Sequence, residues 1–339
     1  MTLPAGIPPT LPALGDLLDG MRVVTLPLLV RFRGVDHRES VLFHGPAGWG
    51  EFGPFLEYGT AESSRWLAAA VEAAWAGWPE PVRSQIPVNA TLPALPPDAV
   101  AGVLARYDGC DTVKVKVAER GQSLADDLDR VAAVRAVAGP DAKIRVDANA
   151  AWDVDEAVRA IGALDAYDLE YVEQPCPTVE DLAALRVRLA RGRIDVKIAA
   201  DESIRRAEDP IRVARQRAAD IVVIKVPPLG GVRRSLEISA ECGLPTVVSS
   251  ALESSVGIAA GVALAAALPE LEYACGLGTV ELLAADVAHD RLVPAGGWVP
   301  VGPARADADL VDAAAAAPAR VAWWRERVAA CHAYLAVGS

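Results

Sequence analysis

From about residue 86 onward, short β-branched runs alternate with helical stretches, and five consecutive runs end in an ionisable side chain. The runs read TVKVKV, IRVDAN, LEYVEQP, VKIAADES and IVVIKVPP, and the five residues are Lys116, Asp147, Glu173, Asp201 and Lys225. The intervals between them are 31, 26, 28 and 24 residues, each close to one strand plus one helix. That repeat places five ionisable groups at equivalent ends of five consecutive strands.

The alternation extends in both directions. Strand candidates begin near Val88, Val113, Ile144, Leu169, Val196, Ile221, Thr246 and Glu272, eight in all. Leu124, Leu128, Val131 and Val134 recur at helical spacing after Ser123, a candidate N-cap, and Gly139-Pro140 supplies a stop. Asp153 with Glu156 reads as a capping box, Thr178 as the cap of a helix carrying Leu182 and Leu185, and Asp209-Pro210 as a cap followed by proline at the first helical position. Val256 to Leu268 reads as a buried helix, too short to span a bilayer. Eight β/α units predict a closed (β/α)8 barrel over residues 86–304. No GxGxxG or GxxxxGK[ST] follows the first strand, which argues against dinucleotide and P-loop folds. Gly230-Gly231 reads as a tight turn rather than a phosphate cradle.

Residues 1–85 differ. Runs near 22–32 and 38–44 read as antiparallel strands, GPAGWGEFGPF is turn-rich, and Ala61 to Trp78 is helical in character, so a small N-terminal α+β capping domain is expected ahead of the barrel. The alanine-rich segment 305–339 reads as one or two helices, packed either on the barrel or on the first domain.

Composition narrows the function classes. Hydrophobic residues make up 52% and charged residues 23%, which suits a large core and excludes disorder. Net charge is −12 with no basic, aromatic-interleaved patch, so neither nucleic acid nor a membrane is an expected partner. Five dispersed cysteines and no charged leader before an apolar run at residues 1–12 point to a cytoplasmic protein without a disulfide framework. A monomer is compatible with the sequence.

Strand parity orients the charged groups. In TVKVKV, Val113, Val115 and Val117 share one face while Lys114 and Lys116 share the other. Helices cover the outside of such a barrel, so the apolar face points out and the lysines point in. Arg145, Asp147 and Asn149 share a face in the same way, as do Lys197, Ala199 and Asp201, and Lys225 with Ile221 and Val223. A terminal Asp or Glu taken alone is more often a cap or turn residue than a ligand. Three on successive strands converge and repel unless a cation sits among them. Oxygen-only ligands favour Mg2+, with Mn2+ as a substitute, over zinc. The second and sixth strands lie on opposite sides of an eight-stranded barrel, so Lys116 and Lys225 flank whatever the metal holds. A small-molecule carboxylate bound there is suited to loss of the proton α to that carboxylate, with the metal stabilising the enediolate. His37, His44, His289 and His332 all fall outside the strand ends.

KVK at 114–116, DAN at 147–149, EQP at 173–175, ADES at 200–203 and IK at 224–225 resemble, in order and spacing, the enolase superfamily in its muconate-lactonising-like subgroup. The resemblance implies Asp147, Glu173 and Asp201 as metal ligands, Lys116 as principal acid/base and Lys225 as the opposing lysine. It also implies Lys114 as an electrostatic helper and Glu202 as a support behind the ligands, with Asn149 beside them. Arg31 to Tyr58 looks like the first domain of the compact o-succinylbenzoate synthase family. That family dehydrates a succinyl-bearing cyclohexadiene carboxylate in menaquinone biosynthesis. By this resemblance Lys116 removes the α-proton and assists departure of the hydroxyl from the same face, while Lys225 stabilises the enediolate as a cation. SSALESS (249–255), with Ser250, and CGLGT (275–279), with Gly276, then offer hydroxyls and amides to the succinyl group, and Phe52 to Tyr58 forms either a capping loop or an aromatic cluster. The resemblance covers about residues 22–300. The same lysine pair also suits an N-succinylamino acid racemase or dipeptide epimerase, and less well a muconate cycloisomerase. A Schiff-base aldolase and a catalytically dead barrel acting as a binding module are the readings furthest from it.

Overall fold

The computed structural model describes residues 11–32, 34–205 and 209–337; most of the segment read above for a leader, residues 1–10, lies outside them. Strands β1 (Arg22–Phe32), β2 (Val35–Gly45) and β3 (Gly48–Phe52) form an antiparallel sheet in which Val24 pairs with Ser40 and Val41 with Phe52. The helix Thr60–Val71 lies against β3, and the helical character read as far as Trp78 continues as a π-turn, Glu72–Ala76. The long helix Pro318–Val337 packs on Thr60–Val71 and sends Trp324, Val328, Cys331 and Leu335 into a cluster with Val41, Phe43, Phe52, Trp66 and Leu67. That helix thereby shares a core with the first strands, whereas Val311, ahead of it, joins the larger core that also holds the barrel's outer residues. Strand β4 (Gln85–Pro87) pairs antiparallel with β12 (Trp298–Pro300).

Between them runs a curled parallel sheet in the order β11-β10-β9-β8-β7-β6-β5. Its strands are β5 (Ala90–Leu92), β6 (Thr112–Lys116), β7 (Lys143–Asp147), β8 (Leu169–Glu173), β9 (Ile198–Ala200), β10 (Ile221–Ile224) and β11 (Thr246–Val248). The eighth strand expected near Glu272 is reduced to Cys275 and Gly276. Cys275 bridges to Val88 and Gly276 to Ser249, both in the parallel sense, so these two residues join the edges of the sheet. The carbonyl of Ala274, which a longer strand would commit to a ladder, instead accepts from the buried Arg145 guanidinium at 2.7 Å.

Parity works as the sequence implies. Val113, Val115, Ile144, Val146, Val172, Ile198, Val222 and Ile224 face the helices and belong to the large outer core. Tyr171, Ala199, Ile221, Val223, Val247 and Tyr273 fill the barrel interior. Ser123 and Asp153 head capping boxes, and Thr178 accepts from the Asp181 amide at 3.1 Å, as read. Ser255–Ala267 is buried in twelve of its thirteen residues. The cap proposed at Asp209 is not observed: the helix starts at Arg212, and the Asp209 carboxylate pairs with Arg215 at 2.8 Å instead.

Candidate active site

Register brings the strand ends level. Lys116 is the partner of Asp147 across β6 and β7, Asp147 of Glu173 across β7 and β8, and Glu173 of Ala199 across β8 and β9. Asp201 and Lys225 each follow the last residue of their strands. Six side chains therefore meet at one mouth. Lys116 pairs with Asp147, Lys225 with Asp201 at 2.6 Å, and Lys114 with both oxygens of Glu173 at 3.2 and 3.3 Å. Lys114 also stands 3.8 Å from Asp147. The three carboxylates are 0% exposed, and the three lysines that pair with them line a single cavity.

Burial sets the charge balance. For Asp147, burial opposes ionisation, but the ammonium groups of Lys116 and Lys114 outweigh it and hold the carboxyl far below the usual range. Asp201 is held at about 2, because Lys225 and Arg205 overcome the same penalty. Glu173 goes the other way and is pushed up to about 7, first by burial and then by the charge of Asp147. Burial lowers the Lys114 ammonium, but Glu173 and Asp147 more than reverse this, so it is held above its ordinary value.

The other residues expected at the site fall around this centre. The Asn149 backbone adopts φ +47°, its amide donates to Asp147 at 3.0 Å, and its side-chain oxygen accepts from Lys116 at 2.9 Å. Its Nδ2 reaches Glu202 at 3.5 Å. Ser250 shares a 2.7 Å hydrogen bond with Thr279, and both line the cavity beside Ser249 and Gly276. Gly276 has no room for a side chain, since a Cβ there would lie 2.5 Å from Ser249 Oγ. Phe55 and Tyr58 line the cavity, and they form edge-on aromatic contacts with each other and with Trp66 at 5.5 to 6.2 Å, as the aromatic-cluster reading expects.

Sequence reading missed three neighbours. Arg205 donates to Asp201 at 3.0 Å, Glu202 at 2.7 Å and the Tyr58 hydroxyl at 3.1 Å, tying the mouth to the segment that follows β3. Its position four residues after Asp201 was the available signal. Gln174 accepts from the Asp201 and Ser203 amides at 2.9 and 3.1 Å and so fixes the turn behind Asp201. Phe32, at the end of β1, lies over the Lys116 ammonium at 5.3 Å from its ring centre.

Among the described residues no three acidic or histidine side chains are gathered into a ready coordination sphere. The lysines occupy the carboxylates instead. The donor set nevertheless fits a hard divalent cation: all donors are carboxylate oxygens, and mutual repulsion among the acids is what helps drive Glu173 upward.

Residues 98–305 match the enolase C-terminal domain-like family, and residues 23–74 match the enolase N-terminal domain-like family. The chain is 61% identical to the o-succinylbenzoate synthase of Thermobifida fusca over 83% of its own length and 86% of that protein. It is 56% identical to the o-succinylbenzoate synthase of Mycolicibacterium smegmatis over 96% of this chain and 98% of the other. The Mycobacterium leprae o-succinylbenzoate synthase is 54% identical, with coverages of 96% and 95%. In fold, the chain resembles the muconate lactonizing enzyme of Pseudomonas fluorescens, with TM-score 0.73 and 22% identity over 87% of this chain and 98% of that one. It also resembles the N-succinyl Arg/Lys racemase of Bacillus cereus, with TM-score 0.72 and 18% identity over 88% and 97%. A parallel barrel with ionised groups at its strand ends, both domain matches and identities above one half over most of the chain lead to one conclusion: this chain belongs to the enolase superfamily, in the family of the o-succinylbenzoate synthases.

Proposed function

We propose that the chain catalyses the syn-dehydration of 2-succinyl-6-hydroxy-2,4-cyclohexadiene-1-carboxylate to 2-succinylbenzoate, a lyase reaction of menaquinone biosynthesis. The observation that carries this reading is three lysine ammonium groups lining one cavity and paired with three fully buried carboxylates at consecutive strand ends. Enzymes of this superfamily work with a divalent metal ion. We take that ion to be Mg2+, with Mn2+ as a substitute, and assign Asp147, Glu173 and Asp201 to hold it. Bound there, it supplies positive charge that stabilises the substrate carboxylate once the adjacent carbon has lost its proton.

The protein's own groups do the rest. Lys116, as the neutral amine, takes the proton from the carbon bearing the carboxylate. The C–H electron pair moves into the ring, the bond to the 6-hydroxyl breaks, and the new Lys116 ammonium returns its proton so that water leaves from the same face. Lys225 stays cationic on the opposite face and stabilises the negative charge that develops. Lys114 holds Glu173, Asn149 orients Lys116, and Glu202 with Arg205 braces Asp201. Ser250 and the backbone at Gly276 face the succinyl arm. A purified-protein dehydration assay, with and without Mg2+, tests the reading; no turnover in the presence of Mg2+ would overturn it.

The two opposed lysines also support racemisation of N-succinylamino acids as a second activity. Exchange of solvent deuterium into both configurations would reveal it. We assign residues 1–85 to a capping domain and 86–304 to the barrel, with 305–339 on the capping side. All five cysteines are unpaired, which supports a cytoplasmic setting. No helix among the described residues is long and apolar enough to cross a membrane.

A further inference from the structure

Two segments of different origin line the cavity together with the lysines. Phe55, Glu57 and Tyr58 follow the antiparallel sheet, whereas Ser250, Ala251 and Leu252 follow the seventh barrel strand. Each is held by little regular structure of its own. Leu252 adopts φ +66°, a left-handed backbone that a leucine enters only when its surroundings impose it. Its side chain packs with Phe32 and Leu282, and Phe32 is the ring over the Lys116 ammonium.

One buried side chain touches both segments without lining the cavity. Arg38, on β2, is 6% exposed. Its Nη2 donates to the Gly53 carbonyl, and its Nε donates to the Leu252 carbonyl at 3.3 Å. The guanidinium lies over the Phe55 ring, 4.3 Å from its centre. Gly53 lies close against β2, since a Cβ there would come within 2.9 Å of Ser40. The charge is matched by Glu51 and Glu253, both buried beside it. These two are themselves anchored to the barrel: Glu51 accepts from the Gly257 amide at 3.0 Å and Glu253 from the Ala251 amide at 2.7 Å. A lysine has the same charge but no planar fork, and a single ammonium cannot serve two carbonyls and an aromatic face in this geometry.

We infer that Arg38 is a positioning residue for the dehydration, a clamp that fixes the Phe55–Tyr58 wall against the Ser250–Leu252 wall and so sets the closed width of the substrate chamber. The inference rests on the function proposed above for its kinetic consequence, though not for its structural one. Arg38 meets neither Lys116 nor the strand-end carboxylates, so loosening the clamp acts on how the substrate is held. The proton transfer itself keeps its machinery.

The test is Arg38→Lys beside Arg38→Met. Both variants should raise KM by about tenfold while kcat stays within about threefold of wild type, because uniform binding is lost and the lysines are untouched. Amide hydrogen exchange should quicken together at 53–58 and 250–253, and stay unchanged along Thr112–Lys116 and Lys143–Asp147. Should Arg38→Met fail to fold, Arg38→Lys carries the test, since it keeps the charge beside Glu51 and Glu253 and removes only the fork. Wild-type KM and unchanged exchange in Arg38→Lys would overturn the clamp. A lower melting temperature with unchanged KM would also overturn it, by showing a role in stability alone. If wild-type protein does not dehydrate the cyclohexadiene, the proposed function fails, and the exchange comparison still decides the clamp.

Discussion

The ammonium of Lys225 stands 2.6 Å from Asp201, and Arg205 meets the other oxygen of that carboxylate at 3.0 Å. Asp201 therefore has a cation on each side, and Asp147 and Glu173 have Lys116 and Lys114. The site is electrically balanced by its own lysines. On the proposed assignment, a divalent ion binding there must release part of this pairing and would call on all three carboxylates at once. Asp147→Asn and Asp201→Asn are each expected to abolish measurable Mg2+ binding by isothermal titration calorimetry, and EDTA to abolish turnover of the wild type. Restoration by Mn2+ after EDTA would support a hard oxygen site. Near-normal Mg2+ affinity in both Asn variants would sink the assignment of ligands.

Lys116→Ala should remove dehydration by a factor of about 10^3 or more, the range in which a positioned base acts. It should leave the melting temperature close to that of wild type. The side chain sits at the mouth, and its loss leaves Asp147 with Lys114 as a partner at 3.8 Å. Near-normal turnover of the variant would show that another group takes the proton. Lys225→Ala should also reduce turnover, while deuterium exchange at the α-carbon distinguishes it: a variant still holding Lys116 should continue to exchange.

The site was legible because the barrel repeats. Lys116, Asp147, Glu173, Asp201 and Lys225 occupy equivalent positions, so spacing and parity alone bring them together. The reach of Arg205 to Tyr58 was not legible, because the two are 147 residues apart, although its spacing from Asp201 was. The eighth strand was overcalled at Glu272 because a position at the strand repeat, with Tyr273 in it, does not reveal that Arg145 claims the Ala274 carbonyl. Asp209 looked like a cap because an Asp-Pro pair carries that local preference, which the Arg215 side chain overrides. In these three cases the deciding contact is made by an arginine side chain.

Stability should fall as pH rises toward neutrality, in part through Glu253. Burial pushes this carboxyl up to about 7, and the nearby charge of Glu51 adds to the effect, while Arg38 opposes it. An unfolded chain releases the same proton at about pH 4.3. Between these values the folded protein holds a proton that the unfolded chain has lost. The contribution is full below about pH 4 and is lost as pH rises through about 7. Glu253→Gln keeps the shape without the titration, so denaturant midpoints measured from pH 5 to 8 should decline less steeply than in wild type. Parallel curves for the two proteins would refute the role given to Glu253. Some decline should persist, since burial also raises Glu51 and Glu72.

Glu72 makes a second contact between the first strands' helix and the barrel, and it lends itself to a double-mutant test. Its buried carboxylate accepts from the Val232 amide and, at 3.2 Å, from the Arg233 amide, so it caps the helix Val232–Cys242 from across the interface. Gly231 gives it room: a Cβ there would lie 2.3 Å from the carboxylate, and the backbone sits at φ +133°. Glu72→Ala should cost roughly 1–3 kcal/mol, as a buried helix end loses its acceptor. Gly231→Ala should cost a comparable amount, through the clash and through the backbone conformation. In the double variant the clash has no partner, so the lost cap and the backbone penalty remain without it. Its destabilisation should therefore be smaller than the sum of the two single losses. Strict additivity in urea unfolding would show that Glu72 does not occupy the space beside Gly231 in solution.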